Sequence, residues 1–194
     1  MNVYDFDGTI YDGDSSVDFY WYALKKKPYI ICSLPKQLLG FVLYALKRID
    51  KAKLKSYFFS FLSMIDGQEL AASFWSIRHH KIFPWYHQQK SPDDIVISAS
   101  PEFLLQPICQ SLGIRCLIAS KVDGNSGAFL SANCYGEEKV RRFYLECGEI
   151  PVDHFYSDSP SDEPMAILAH KAYLVKNGKI TNWPAQNLNK KAER

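Results

Sequence analysis

The sequence predicts an α/β protein: a doubly wound, Rossmann-like parallel-sheet core with an all-helical cap inserted after the first strand. Three observations carry this. Short apolar runs alternate with helical stretches from residue 91 onward, the pattern of strand–helix–strand units with helices on both sheet faces. A further short apolar run opens the chain at "MNVYDF". Residues 14–90 contain no strand-like alternation. The expected core is therefore 1–13 with 91–194, and the expected cap 14–90.

The elements follow in order. "MNVYDF" is short enough for one central strand. In the cap, "DKAKLKSYFFSFLSM" sets Leu54, Tyr57, Phe58, Phe61, Leu62 and Ile65 at helical spacing, opposite Lys51, Lys53 and Lys55. "QELAASFWSIRHHKIF" repeats the pattern beyond Asp66 and Gly67, and four helices are expected there. The apolar stretch "PYIICSLPKQLLGFVLYAL" (28–46) is cut by Pro35, Lys36 and Gln37. Each piece is shorter than the roughly 20 residues of a spanning helix, so it reads as a cap or core helix.

"DIVISAS" (94–100) is a continuous apolar run ending in small residues, as buried parallel strands do. "PEFLLQPICQSLG" has a proline start and a glycine end, the punctuation of a helix. "IRCLIAS" (114–120) is the next strand, and "DGNSGAF" supplies turn residues before the helix "GEEKVRRFYLECG". "HFYSD" (154–158), "EPMAILAH" and "KAYLVK" (171–176) complete the series as strand, helix and strand. "NGK" signals a small hairpin, and the polar tail from Pro184 onward is expected to fray.

Composition restricts the function classes. Hydrophobic residues make up 47% and charged residues 23% of 194, with a formal net charge of +2, which is ordinary for a globular domain. Five cysteines without a CxxC or His/Cys cluster argue against a disulfide framework or zinc site and for a reducing, cytoplasmic setting. Asp5 and Asp7 stand where a secretory leader needs basic and then apolar residues. No basic stripe accompanies a nucleic-acid module, so nucleic acid is not an expected partner.

Ligands of such sheets sit beyond the carboxyl ends of the strands, and that is where the polar residues fall. Asp5 and Asp7 end the first strand, Ser98 the second and Asp158 the fourth, while Lys139 opens the helix after Gly136. Carboxylates this close repel each other and raise at least one pKa unless a cation sits between them, so the stretch asks for a metal, for chemistry or for a turn. Together these groups suit phosphoryl transfer. Asp5 is the expected nucleophile, and Asp7, two residues on and on the same side of an extended chain, the general acid and base. Gly8 lets the backbone turn, and Thr9 is expected to bond carboxylate or phosphate oxygens. Ser98 and the amides from Ala99 onward would hold phosphoryl oxygens, and Lys139 would offset the negative charge. Mg²⁺ would be held by Asp5, Asp158 and the Asp7 carbonyl, with Asp162 bracing from behind.

Other residues have plainer readings. Arg141 and Arg142 read as solvated helix charges and Ser100 as a cap or turn hydroxyl. Asp14 reads as a helix cap, and the adjacent His79 and His80 as cap surface or core edge.

"DFDGT", "VISAS", "GEEK" and "YSDSPSDEPM", in that order, resemble the four motifs of the haloacid dehalogenase superfamily, most closely its phosphoserine-phosphatase-like branch. The resemblance covers the whole chain, because residues 14–90 occupy the cap position. It implies Asp5 as nucleophile, Asp7 as acid/base, Ser98 as phosphate binder, Lys139 as bridging cation, and Asp158 and Asp162 as metal acids. It also implies phosphatase rather than dehalogenase chemistry, through the acid at position 7. "CYGEEKV", "YSDSPSDEPM" and "AHKAYLV" are further similar to the phosphatidylglycerophosphatase C-like subgroup. No glutamate–arginine pair near the start of the cap presents itself for an amino-acid substrate.

The cap holds twelve Lys/Arg against five Asp/Glu, and sixteen of the chain's twenty-eight aromatics. Such a lid suits a small or lipid-linked phosphomonoester and peripheral contact with an anionic membrane. The activity expected is a Mg²⁺-dependent phosphatase; a lipid-phosphate phosphatase and a phosphotransferase at the same site are the alternatives.

Overall fold

A computed structural model of the chain describes residues 1–184; the expected fraying beyond Pro184 lies outside them. Strand β1 (Asn2–Tyr4) is followed by helices α1 (Ser15–Lys26), α2 (Leu34–Ala45), α3 (Lys51–Phe58), α4 (Gly67–Arg78) and α5 (Pro84–Gln89). Then come β2 (Ile95–Pro101), α6 (Glu102–Leu112), β3 (Cys116–Ser120), α7 (Glu137–Cys147) and β4 (Val152–Ser157). A short helix α8 (Glu163–Ala166) leads to β5 (Ala169–Lys176) and β6 (Lys179–Asn182). The strand order is β3-β2-β1-β4-β5-β6, parallel throughout except for the antiparallel β6.

Alternation along the strands divides the core between two faces. Tyr4 and Val96 face a cluster with Phe19, Phe61, Phe74, Trp75, Leu104 and Leu105, drawn from α1, α4, α6 and the turn after α3. Val3, Ile95, Ile97 and Phe155 face Phe143 and Met165 of α7 and α8. The sheet is thus covered on both sides, as the alternation of runs predicts.

Local chemistry sets the helix ends. Asp14, Asp50 and Asp66 accept backbone N–H bonds at the starts of α1, α3 and α4, each cap being worth about 1 kcal/mol. Gly113 closes α6 at φ +79, and Asn177-Gly178, both at positive φ, form the predicted hairpin turn.

The structure departs from expectation in several places. Five helices and three 3-10 segments (Pro28–Ser33, Phe59–Met64 and His79–Lys81) occupy the inserted region instead of four helices. The stretch from Lys51 changes to 3-10 at Phe59, which turns Phe59, Phe61 and Leu62 into the core. The helix expected over 163–170 stops at Ala166, because Ala169 already pairs with Val152 of β4. The apolar stretch 28–46, expected as a cap or core helix, is the 3-10 segment Pro28–Ser33 followed by α2, and most of its large side chains face outward rather than into a core. Arg142 is 5% exposed rather than solvated: it shares the inner face of α7 with Lys139 and Phe143. It donates to the carbonyls of Ala119 and Ala132 and to Ser131 Oγ. Arg141 is exposed as expected. Among the described residues all five cysteines are unpaired, and no helix is long and apolar enough to cross a membrane.

Candidate active site

The site lies beyond the carboxyl ends of β1, β2 and β4, in a cleft of about 370 Å³. Asp5 extends the pairing of β1, its N–H donating to the Tyr156 carbonyl at 2.8 Å. The chain then turns sharply: the N–H groups of Ile10 and Tyr11 both return to the Phe6 carbonyl at 2.9 Å. Gly8, at φ +68, passes so close to Asp158 that a Cβ would lie 2.4 Å from its Oδ2. Only glycine meets both demands.

Lys139 is the electrostatic centre. Its Nζ donates to Asp5 Oδ1 at 2.8 Å and to Asp162 Oδ2 at 2.7 Å, and the residue is 2% exposed. Burial alone would lower the ammonium's pKa, but the two carboxylates outweigh it and hold it above the ordinary lysine range. Asp162 Oδ2 also accepts from Ser157 Oγ at 2.7 Å, so one oxygen takes both bonds.

Asp7 is fixed by the Ser15 N–H, 2.7 Å from Oδ1, and by the Ser100 hydroxyl on Oδ2. Burial pushes its carboxyl up to about 6, the Asp14 charge adds to this, and the bonds from Ser100 and Ser15 pull back. Burial likewise raises Asp5, to about 7, against the pull of Lys139, with the charges of Asp162 and Asp7 adding. Asp158 is raised by burial first and by Asp162 second. The cleft therefore holds more negative charge than Lys139 neutralises.

The sequence-derived residues are gathered unequally. Asp5, Asp7, Ser98, Ala99, Lys139, Asp158 and Asp162 all line the cleft. Ser98 Oγ accepts from the Ser100 N–H at 3.1 Å, which leaves its own proton free to donate. Thr9 is different: its hydroxyl is buried and, among the described residues, has no hydrogen-bond partner, carboxylates included. Gly8 acts through its backbone and its contact with Asp158. Asp14 caps α1 as expected, accepting from Val17 N–H. Ser100 is not a cap; its hydroxyl is committed to Asp7, with Ser16 Oγ 3.1 Å away.

Lys55 is the residue that sequence reasoning missed. Taken for a solvated lysine of α3, it reaches into the cleft, where Nζ donates to the Ala99 carbonyl at 2.9 Å and to Asn133 Oδ1 at 3.4 Å. Burial pulls its ammonium below the ordinary lysine range, opposed by the charges of Asp7, Asp14 and Asp5. Lys51 lies at the same cleft, its Nζ 4.1 Å from the centre of the Tyr135 ring. Val17, Phe41, Leu54, Phe58 and Phe59 form an apolar wall opposite the acids. A lysine in a lysine-rich helix gives no sign in sequence that it turns inward.

Among the described residues no three His, Cys, Asp or Glu side chains form a metal-binding group. The oxygen donors present are the carboxylates of Asp5 and Asp158 and the backbone of Asp7. That all-oxygen set, with uncompensated negative charge, fits a hard divalent ion that keeps several waters and takes substrate oxygens.

A family model described as haloacid dehalogenase-like hydrolase matches residues 3–166. The histidinol-phosphatase of Neisseria meningitidis serogroup C is 30% identical over a match covering 52% of this chain and 54% of that protein. The chain thus spans about half the length of that relative. A protein of unknown function from Bordetella pertussis Tohama I superposes with a TM-score of 0.70 at 15% identity, over 89% of this chain and 87% of its own. A phosphoserine phosphohydrolase-like protein from Francisella tularensis gives 0.53 at 15% identity, over 89% and 86%. These two likenesses are likenesses of fold.

Proposed function

The chain belongs to the haloacid dehalogenase-like hydrolase family, and from that premise we propose that it is a Mg²⁺-dependent phosphomonoesterase working through a phosphoaspartate on Asp5. The observation that carries the reading is the Asp5–Lys139–Asp162 bridge, at 2.8 and 2.7 Å, in one cleft with Asp7, Ser98 and Asp158. In this reading residues 14–90 are the lid over the site.

In the first step an Asp5 carboxylate oxygen attacks phosphorus, the P–O bond to the leaving alkoxide breaks, and Asp7 delivers its proton to that alkoxide. A carboxyl raised to about 6 is suited to both halves of the cycle. In the second step Asp7 takes a proton from water, which attacks the acyl phosphate and frees phosphate and Asp5. Ser98 and the following amides hold the phosphoryl oxygens, and Lys139 offsets their charge together with that of Asp5. Asp5, Asp158 and the Asp7 carbonyl would hold Mg²⁺, which when bound neutralises phosphoryl charge and keeps Asp5 ionised.

The wall of Val17, Phe41, Leu54, Phe58 and Phe59 favours a leaving group with an apolar portion, such as a lipid-linked phosphomonoester. Purified protein should release phosphate from p-nitrophenyl phosphate with Mg²⁺, lose this on chelation, and lose it in Asp5→Asn. Turnover persisting in Asp5→Asn would remove Asp5 from its role. A screen of phosphatidylglycerophosphate, sugar phosphates, nucleotides and phosphoserine would then rank substrates, and a preference for the hydrophilic ones would discard the apolar-leaving-group reading.

A further inference from the structure

Helix α2 is turned inside out. Its fully buried residues are Gln37 and Gly40, whereas Leu38, Leu39, Phe41, Val42 and Leu46 at its end are 50–64% exposed. The inward residues have specific partners. Gln37 accepts from the Tyr20 hydroxyl and donates to the Phe58 carbonyl at 2.9 Å, and Gly40 sits so close to Tyr57 that a Cβ would lie 2.4 Å from the tyrosine Cβ. The orientation is therefore fixed by the fold, and the apolar side has no partner among the described residues. Tyr29 and Ile31 of the preceding turn extend the same exposure. A contiguous apolar face of this kind marks a site of association.

The charges around it identify the occupant. From Phe19 to Ile49 the sequence carries six cations (Lys25, Lys26, Lys27, Lys36, Lys47 and Arg48) and no acid. A second copy seated on this face would set cations against cations. An apolar face flanked along the chain by these cations, with Asp66 and Glu69 near Lys27 and Tyr29 at one edge, matches the acyl and head-group layers of an anionic bilayer. We propose that α2 and the turn before it seat the protein on an anionic lipid surface, lying in the interface without crossing it. Phe41 belongs both to this face and to the cleft wall, so the seated protein holds its active-site mouth at the bilayer. The docking does not depend on the catalytic reading.

Sedimentation with vesicles of equal parts phosphatidylglycerol and phosphatidylcholine, beside pure phosphatidylcholine, tests this. Binding is expected to the mixed vesicles at low salt, weakened roughly tenfold or more in high salt and to a similar extent in Leu38→Glu/Val42→Glu. Lys25→Gln/Lys26→Gln/Lys27→Gln should reduce the preference for the anionic vesicles. These positions are exposed and outside the cleft, so p-nitrophenyl phosphate turnover in the variants should match the parent; that readout reports folding and catalysis separately from docking. Absence of binding to the mixed vesicles at low salt would overturn the proposal. So would concentration-dependent dimerisation abolished by Leu38→Glu/Val42→Glu, which would assign the face to a second copy.

Discussion

Replacing Gly8 by alanine perturbs the site at its tightest contact. The new Cβ would lie 2.4 Å from Asp158 Oδ2 and 2.7 Å from its Cγ, where ordinary contact begins near 3.4 Å. Asp158 or the turn must then give by about 1 Å in a close-packed setting. The backbone at φ +68 adds roughly 1–2 kcal/mol of strain for any residue with a Cβ. A displacement of about 1 Å in a catalytic constellation costs on the order of 100-fold. Gly8→Ala is accordingly expected to lose about 100-fold in kcat/KM with p-nitrophenyl phosphate and to need more Mg²⁺ for half-activation. Its Tm should fall by about 2–8 °C. Gly113→Ala supplies the comparison: φ is +79, no described atom lies within 4 Å of the added Cβ, and the residue is at the far end of α6. It should show the strain without the loss of activity. If the two variants share one Mg²⁺ requirement and one turnover, residue 8 is not glycine for the sake of Asp158.

Further predictions follow from the charges. Lys139→Met leaves Asp5 and Asp162 buried without their cation; it should destabilise the fold by about 3–5 kcal/mol and lower kcat by about 100-fold or more, and a denaturant-measured loss below about 1 kcal/mol would contradict the buried bridge. Lys55→Met keeps the stem and removes the charge lining the cleft, so KM for an anionic ester should rise about tenfold with kcat little changed; an unmoved KM would make Lys55 only a strut. The Glu138 carboxyl is held down at about 2, chiefly by the hydrogen bond from Arg141, with burial opposing and Arg142 assisting. Its stabilisation is complete above the ordinary glutamate value of 4.5 and is lost as pH falls toward about 2. In Glu138→Gln the decline in Tm over that window should be shallower, by the equivalent of about 1 kcal/mol, since Arg141 is exposed.

The core was legible in sequence because each strand there is a short apolar run and each helix is bounded by Pro, Gly or Asp. β2 with its Ser98 end, and α7 between Gly136 and Gly148, show this directly. The acids and Lys139 could be found because a parallel sheet forces its strand ends to one edge. The inserted region was harder to read. Inward and outward lysines look alike, so Lys55 was invisible, and the partners that turn Arg142 inward, Ala119 and Ala132, are known only once β3 and the loop after it are placed. Helix α2 misleads more, since its outward face is the apolar one and hydrophobicity alone assigns such a stretch to the interior.

The apolar cluster running from Val96 and Leu104 through Phe74 and Trp75 to Phe19 and Phe61 belongs to the insertion and the sheet alike. The insertion cannot swing away as a rigid flap without tearing that shared interior. The α2–α3 hairpin is held to that interior less firmly, since α3 buries no residue completely and α2 only two. Lys55 fastens that hairpin to the Ala99 carbonyl. An anion entering the cleft would compete with that carbonyl for the same ammonium.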